Sequence, residues 1–502
     1  MRVILNYDSI VFALSDKTEN SKNAELFCEG KTAFYKESYD VAFQQWTSLA
    51  LSGDVAAQNN LGVLCATGRG VSQSYAGAFE WFRKAAEKNH VDALFNCAGV
   101  CKKLPELSSV FVELLNGNLI SALQGDVGAL EIFGLMFDHG QGMVADHAKA
   151  LACYRLAAEK GAAEMQSALG HLLFRDGLYD EAAVWCRKAA EQGLAAAQFR
   201  LGVICEYGQG APQDDVEAAR WYEKAAEQDY IEAQFCLANL YEQGRGGAPD
   251  VDMVVKWRRR AADLDHLESQ FRLGVLYEKG RGVAQSDNNA ARWHRKAAER
   301  GHPKAQFHLS VLFEQGRGAP PDIVEAIEWR RKAAEQGHAE AQYSLGTLYE
   351  EGVHAPQDIG ASAEWRRKAA EQGHAIAQYD LGAMYKKGLG VPQDNAEAFL
   401  WCRKSAEQGY AEAQFNLATL YEQGRGVERS NSEAAVWYRK AAEQGHPEAQ
   451  YNLGTLYEQG RGVSQDNEEA TMWYIKAADQ GFSQAQVSLG NMYSFGRGAG
   501  RR

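Results

Sequence analysis

Proline is scarce in this sequence, with nine among 502 residues, and most of them fall in one recurrent loop. So few breakers leave room for helix after helix. No run of eighteen apolar residues occurs, so no transmembrane helix is predicted. Positive charge is in deficit: 53 Lys and Arg face 66 Asp and Glu, a formal net charge of -13. That balance disfavours nucleic acid as a general partner, because phosphate binding requires a basic surface. The segment Met1 to Asp8 is interrupted by Asn6 and Asp8, so no signal peptide is expected and the cytoplasm is the expected location. Export without a recognisable signal stays open. The nine cysteines are odd in number and irregularly spaced. They read as buried free thiols in a reducing compartment.

Regularity takes the place of what is missing. Trp221, Trp257, Trp293, Trp329, Trp365, Trp401, Trp437 and Trp473 stand 36 residues apart. Ahead of the last comes Ala449-Gln450-Tyr451-Asn452-Leu453-Gly454-Thr455-Leu456-Tyr457 and then Gly460-Arg461-Gly462. Behind it comes Ala477-Ala478-Asp479-Gln480-Gly481. A repeat of this length signals a solenoid built of stacked units. Each unit reads as two antiparallel helices. Ala449, Leu453, Leu456 and Tyr457 form one amphipathic stripe, and Ala470, Trp473, Tyr474, Ala477 and Ala478 form the second. Gly460 is placed for a left-handed cap. Asp214 with Glu217, Asp322 with Glu325, Ser430 with Glu433 and Asp466 with Glu469 have capping-box spacing. Each tryptophan is expected to fill the space between units.

The fold class expected is all-α, an α/α solenoid with a 36-residue period and a few 32-residue units. Residues 1–21 are a leader outside the repeats, a short helix or a frayed end. Residues 22–193 hold irregular repeats, degenerate over 90–125, where Lys102, Lys103, Leu104 and Pro105 replace the usual loop. Residues 126–161 restore the pattern with Gly140-Gln141-Gly142. Eight regular units occupy 194–481, and 482–502 is a half-repeat ending in Gly498-Ala499-Gly500-Arg501-Arg502. Its missing second helix leads to an expectation of some self-association.

The pattern Ala-x-Ala-Gln-Tyr-x-Leu-Gly-x-Leu-Tyr-x-x-Gly-x-Gly-Val, followed by Trp-Tyr-x-Lys-Ala-Ala, resembles the Sel-1-like repeat family. The resemblance covers about Asp54 to Arg497 and is strongest from Leu194 onward. The 32-residue units at Lys22 and Ala162 look closer to the related tetratricopeptide form. The resemblance implies a right-handed superhelix whose first helices line a concave surface, and adaptor or scaffold functions. A cysteine-rich branch of the family resembles β-lactamase-like proteins with paired cysteines in each repeat. Units from His266 to Gly373 have no cysteine, so no enzyme is expected.

The Gly-Arg-Gly loops join helix to helix, which marks them as caps and turns and not phosphate cradles. His266, His302, His338, His374 and His446 recur at the start of first helices. No His-Glu-x-x-His or Cys-x-x-Cys pattern occurs, so neither metal nor cofactor is expected. The runs Arg330-Arg331-Lys332 and Arg366-Arg367-Lys368 are followed by Glu335 and Glu371 and read as solvated mixed-charge faces. Variation concentrates at the seventh repeat position: Arg200, Cys236, Arg272, His308, Ser344, Asp380, Asn416 and Asn452. All of these except Cys236 are the candidate contacts for protein or peptide partners on the concave face. A cytoplasmic adaptor and an exported effector acting on host proteins both use such a surface.

Overall fold

The computed structural model describes residues 3–5, 10–12, 21–88, 90–101, 103–123, 125–140 and 145–494. The chain divides into two compact units, residues 1–257 and 258–502. Both are built of helix pairs whose two members pack against each other. No helix among the described residues is long and apolar enough to cross a membrane.

In the first unit, Val3–Leu5 and Ile10–Phe12 pair as an antiparallel hairpin with Val3 opposite Phe12. Of the two expectations for the leader, a short helix or a frayed end, the helix is thus not what these residues form. The β-branched residues Val3, Ile4, Ile10 and Val11 suit a strand. The second strand lies beside the helices Val55–Thr67 and Val91–Cys101. Over 90–125 a 3-10 turn at Pro105–Leu107 replaces the usual loop and leads into a helix at Ser108–Leu123. The last two residues of Gly140-Gln141-Gly142, residues 13–20 and the terminal segment from 495 lie outside the described residues.

The second unit repeats one design, clearest in the helices Pro447–Gln459 and Asn467–Asp479. Ala449, Leu453, Ala470 and Ala477 are wholly buried, as the stripe predicts. Gln450 turns the motif into a staple: its amide Nε2 donates to Ala442 O at 3.0 Å, and its Oε1 accepts from Gln480 Nε2 at 2.8 Å. Gly460 caps its helix with φ +66°, and Arg461 N donates to Leu456 O. The acidic caps form only half of the expected box. Asp466 Oδ1 accepts from the Glu469 amide at 3.0 Å, but the Asp466 amide donates to Tyr457 O. Glu469 is thereby free to accept from Trp473 Nε1 at 3.2 Å. The same departure holds at Asp214 and Asp322, where Glu217 and Glu325 accept from Trp221 and Trp329.

The Gly-Arg-Gly loops lock neighbouring repeats. Arg317 donates to both oxygens of Asp287, at 3.1 and 2.7 Å, in the preceding repeat. Gly318, at φ +74°, seats so closely on the Asp287 carbonyl that any side chain there would collide. The loops are therefore structural junctions.

The tryptophans differ in depth, and Trp257 is wholly buried and Trp473 nearly so. Trp365 and Trp437 are half-buried, and Lys368 and Lys440 lie over their rings at 4.0 and 3.9 Å. The residue after each tryptophan points inward, four positions on from a buried residue that is most often alanine. It is Tyr222, Arg258, His294, Arg330, Arg366, Cys402, Tyr438 or Tyr474, each at most 5 % exposed. The solvated reading of Arg330 and Arg366 is thus corrected, since only the following Arg331, Lys332, Arg367 and Lys368 are exposed.

Candidate functional site

The glycine of each Leu-Gly pair makes room for the inward residue. A Cβ on Gly454 would lie 2.8 Å from the Tyr474 ring, and one on Gly274 would lie 2.6 Å from the His294 ring. The inward residue then reaches the acidic end of its own first helix. Tyr222 donates to Glu206 at 2.8 Å, Tyr438 to Glu422 at 2.9 Å and Tyr474 to Glu458 at 2.8 Å. Arg330 donates to Glu314 at 2.5 Å, and Arg366 donates to Glu350. Where Cys402 offers no strong donor, Lys386 stands in place of the glutamate.

At His308, Asp380 and Asn452 the seventh-position residue forms the third corner of such a group. All eight seventh-position residues are half-buried. Asn452 bonds Tyr438, and Asp380 accepts from Tyr343 Oη at 3.2 Å while facing Arg366 at 3.7 Å. Burial pushes the Asp380 carboxyl up, against the pull of Arg366. Asn416 Nδ2 donates to Tyr379 Oη at 2.9 Å. Arg272 Nε donates to Glu268 at 2.7 Å. The Arg200 guanidinium adds to burial in holding the His171 pKa down. Ser344 occupies the same half-buried place. The candidate row therefore takes part in joining repeats as well as facing outward. Beside it, one turn earlier on the same helices, Glu232, Lys304, Glu340, Glu412 and Glu448 are exposed.

One corner differs in chemistry. Glu278 Oε2 lies 3.3 Å from His294 Nε2 and 3.0 Å from His308 Nδ1, and the three ligand-type atoms lie within 4.8 Å of one another. Hydrogen bonds from His294 and His308 hold the Glu278 carboxyl well below the usual range. Burial pushes the His294 pKa down, so its imidazole favours the neutral form. No local ligand pair marks this group in the sequence, because its residues come from three successive helices. Aligning the repeats column by column exposes the signal, since the position after tryptophan pairs with the glutamate sixteen residues earlier.

The recurrent histidines at first-helix starts have another task. His302 Nδ1 accepts from the Ala305 amide at 3.1 Å, which leaves Nε2 to donate to Glu268 at 3.0 Å. Its ring stacks on Phe271 at 4.8 Å, and His338, His374 and His446 stack likewise on Phe307, Tyr343 and Phe415. Of the nine cysteines, five are buried, three half-buried and Cys28 exposed.

The Sel1 repeat profile matches residues 55–90, 129–161 and 163–194, then runs unbroken in units from 195 to 502. A protective antigen of uropathogenic Escherichia coli, displaying an SLR fold, is 33 % identical with a TM-score of 0.66, covering 90 % of both chains. A Sel1 repeat protein from Oxalobacter formigenes is 33 % identical with a TM-score of 0.54, covering 61 % of this chain and 90 % of that one. Chitin synthase regulatory factor 3 of Schizosaccharomyces pombe is 32 % identical over 256 residues, which is 40 % of this chain and 28 % of that protein. The chain thus spans under a third of that relative's length.

Proposed function

Because the chain belongs to the Sel1 repeat family, we propose that it is a non-catalytic scaffold that docks segments of other proteins along its first helices. The observation that carries this reading is the contrast within those helices. Their alanine, leucine and glycine positions are held by packing, while within the second unit the seventh position changes from Arg272 through Ser344 to Asn452 beside exposed charged residues, Lys304, Glu340, Glu412 and Glu448. A surface of unlike groups on a regular frame suits recognition of an extended or helical segment. The partial likeness to a protein named as a regulatory factor supports a regulatory setting.

The test uses a partner captured from the source cells, identified, purified and titrated by calorimetry. Glu232→Lys with Glu412→Lys changes two exposed first-helix residues. Weakening by about tenfold or more, worth about 1.4 kcal/mol, supports the first-helix face. Unchanged affinity removes it. A second reading, in which the same face meets host proteins outside the producing cell, draws on the likeness to the E. coli antigen. Fractionation that finds the protein only inside the cell eliminates that reading.

A further inference from the structure

We propose that Glu278, His294 and His308 form a binding site for a divalent transition metal of the zinc class, clamping repeat 267–302 to repeat 303–338. The donor set is two imidazoles and one carboxylate, which suits a tetrahedral zinc ion with one position left for water. Bonds of about 2.0–2.1 Å to such an ion put neighbouring ligand atoms a little over 3 Å apart. The separations from Glu278 Oε2 are 3.3 Å to His294 Nε2 and 3.0 Å to His308 Nδ1.

The surroundings hold the ligands in place. Gly274 leaves room for the His294 ring, which is wholly buried. The His308 ring lies 5.1 Å from that of His294 and 5.3 Å from Phe271. His308 is about one-third exposed, so water can reach the remaining position.

Two features limit affinity. Arg317 Nη1 sits 4.0 Å from Glu278 Oε1, although Asp287 binds that guanidinium more closely. Metal at His294 Nε2 moves the ring proton to Nδ1, which is buried with no hydrogen-bond partner in the present arrangement. A regulatory or moderate-affinity clamp therefore fits better than a permanent zinc core. Equivalent corners hold Tyr222, Arg258, Arg330, Arg366, Cys402, Tyr438 or Tyr474, side chains that complete no such donor set, and this is the one such group among the described residues.

The experiment uses the full chain freed of metal by a chelator, then titrated with Zn²⁺ by calorimetry and with Co²⁺ by visible spectroscopy. The expected result is one equivalent bound per chain, with a tetrahedral cobalt spectrum free of thiolate charge transfer. His308→Asn and Glu278→Gln should each weaken binding by about 100-fold or more, since even loss of an outer-shell partner costs about 10–100-fold. His338→Asn, which alters a helix cap, should leave binding unchanged. Asparagine already stands at the seventh position as Asn416 and Asn452, so His308→Asn suits the fold, and circular dichroism checks it. No Zn²⁺ bound by the wild type, full binding by His308→Asn, or a thiolate band in the cobalt spectrum would each overturn the proposal.

Discussion

Around Glu278 a carboxylate receives two imidazoles, whereas around Glu350 the equivalent carboxylate receives a guanidinium that also faces Asp380. Both corners stand on the same frame, with a glycine opposite the inward residue, Gly274 in one and Gly346 in the other. The comparison separates what the repeat holds constant from what it lets vary. Alanine contacts, glutamine staples and left-handed glycine caps set the spacing of helices. The corner then accepts any inward residue whose donor satisfies the neighbouring acid, or, as with Cys402 and Lys386, does without the acid.

The largest expected effect lies with the inward residues. Tyr438→Ala should cost about 3–5 kcal/mol, because it empties a wholly buried aromatic site. Trp437→Ala next to it should cost clearly less, since Trp437 is half-buried at the edge of the stack. Urea unfolding of the two variants side by side decides the order, and equal losses would remove the distinction. Next comes Gly274→Ala, whose added carbon would lie 2.6 Å from the His294 ring. Overpacking of this kind costs about 1–3 kcal/mol, read as a lower urea midpoint.

A subtler change sharpens the comparison of corners. Arg366→Tyr alone replaces the guanidinium facing Asp380, while Arg366→Tyr with Asp380→Asn recreates the Tyr438, Glu422 and Asn452 group. The double variant should unfold at higher urea than the single one. The reverse order would mean that corners are not interchangeable.

Much of the frame is legible in the sequence because its signals are local. The 36-residue period, the helix stripes and the cap at Gly460 each follow from residues within one unit. The inward residue is harder to read. Arg330 and Arg366 look solvated when only their own helix is considered, and their burial depends on a glutamate sixteen residues earlier. The capping boxes mislead for a related reason: the tryptophan indole, not the cap amide, binds the third-position glutamate. The seventh-position row is visible as variation, but its role in joining repeats needs the packing of three helices.

The smallest effect expected is with pH. Hydrogen bonds from His302 and then Arg272 lower the Glu268 pKa from 4.5 to about 2. A depressed carboxyl adds stability that is fully present above its unfolded pKa and lost as pH falls through its folded one. His302 and Arg272 are the charged or titratable partners that face it. Glu268→Gln should therefore flatten the decline in stability between pH 4.5 and about 2, as followed by circular dichroism. An unchanged decline would show that this group does not contribute.

The most direct measurement is a transplant of one corner into another. His294→Tyr with His308→Asn rebuilds the Tyr438, Glu422 and Asn452 group around Glu278, with Gly274 opposite the new ring as Gly454 is opposite Tyr474. Unfolding is followed in urea with and without Zn²⁺. The expected result is stability within about 1.5 kcal/mol of the wild type, as for well-matched core swaps, and complete loss of any zinc-induced shift. A transplant that fails to fold, or one that zinc still stabilises as it does the wild type, would contradict it.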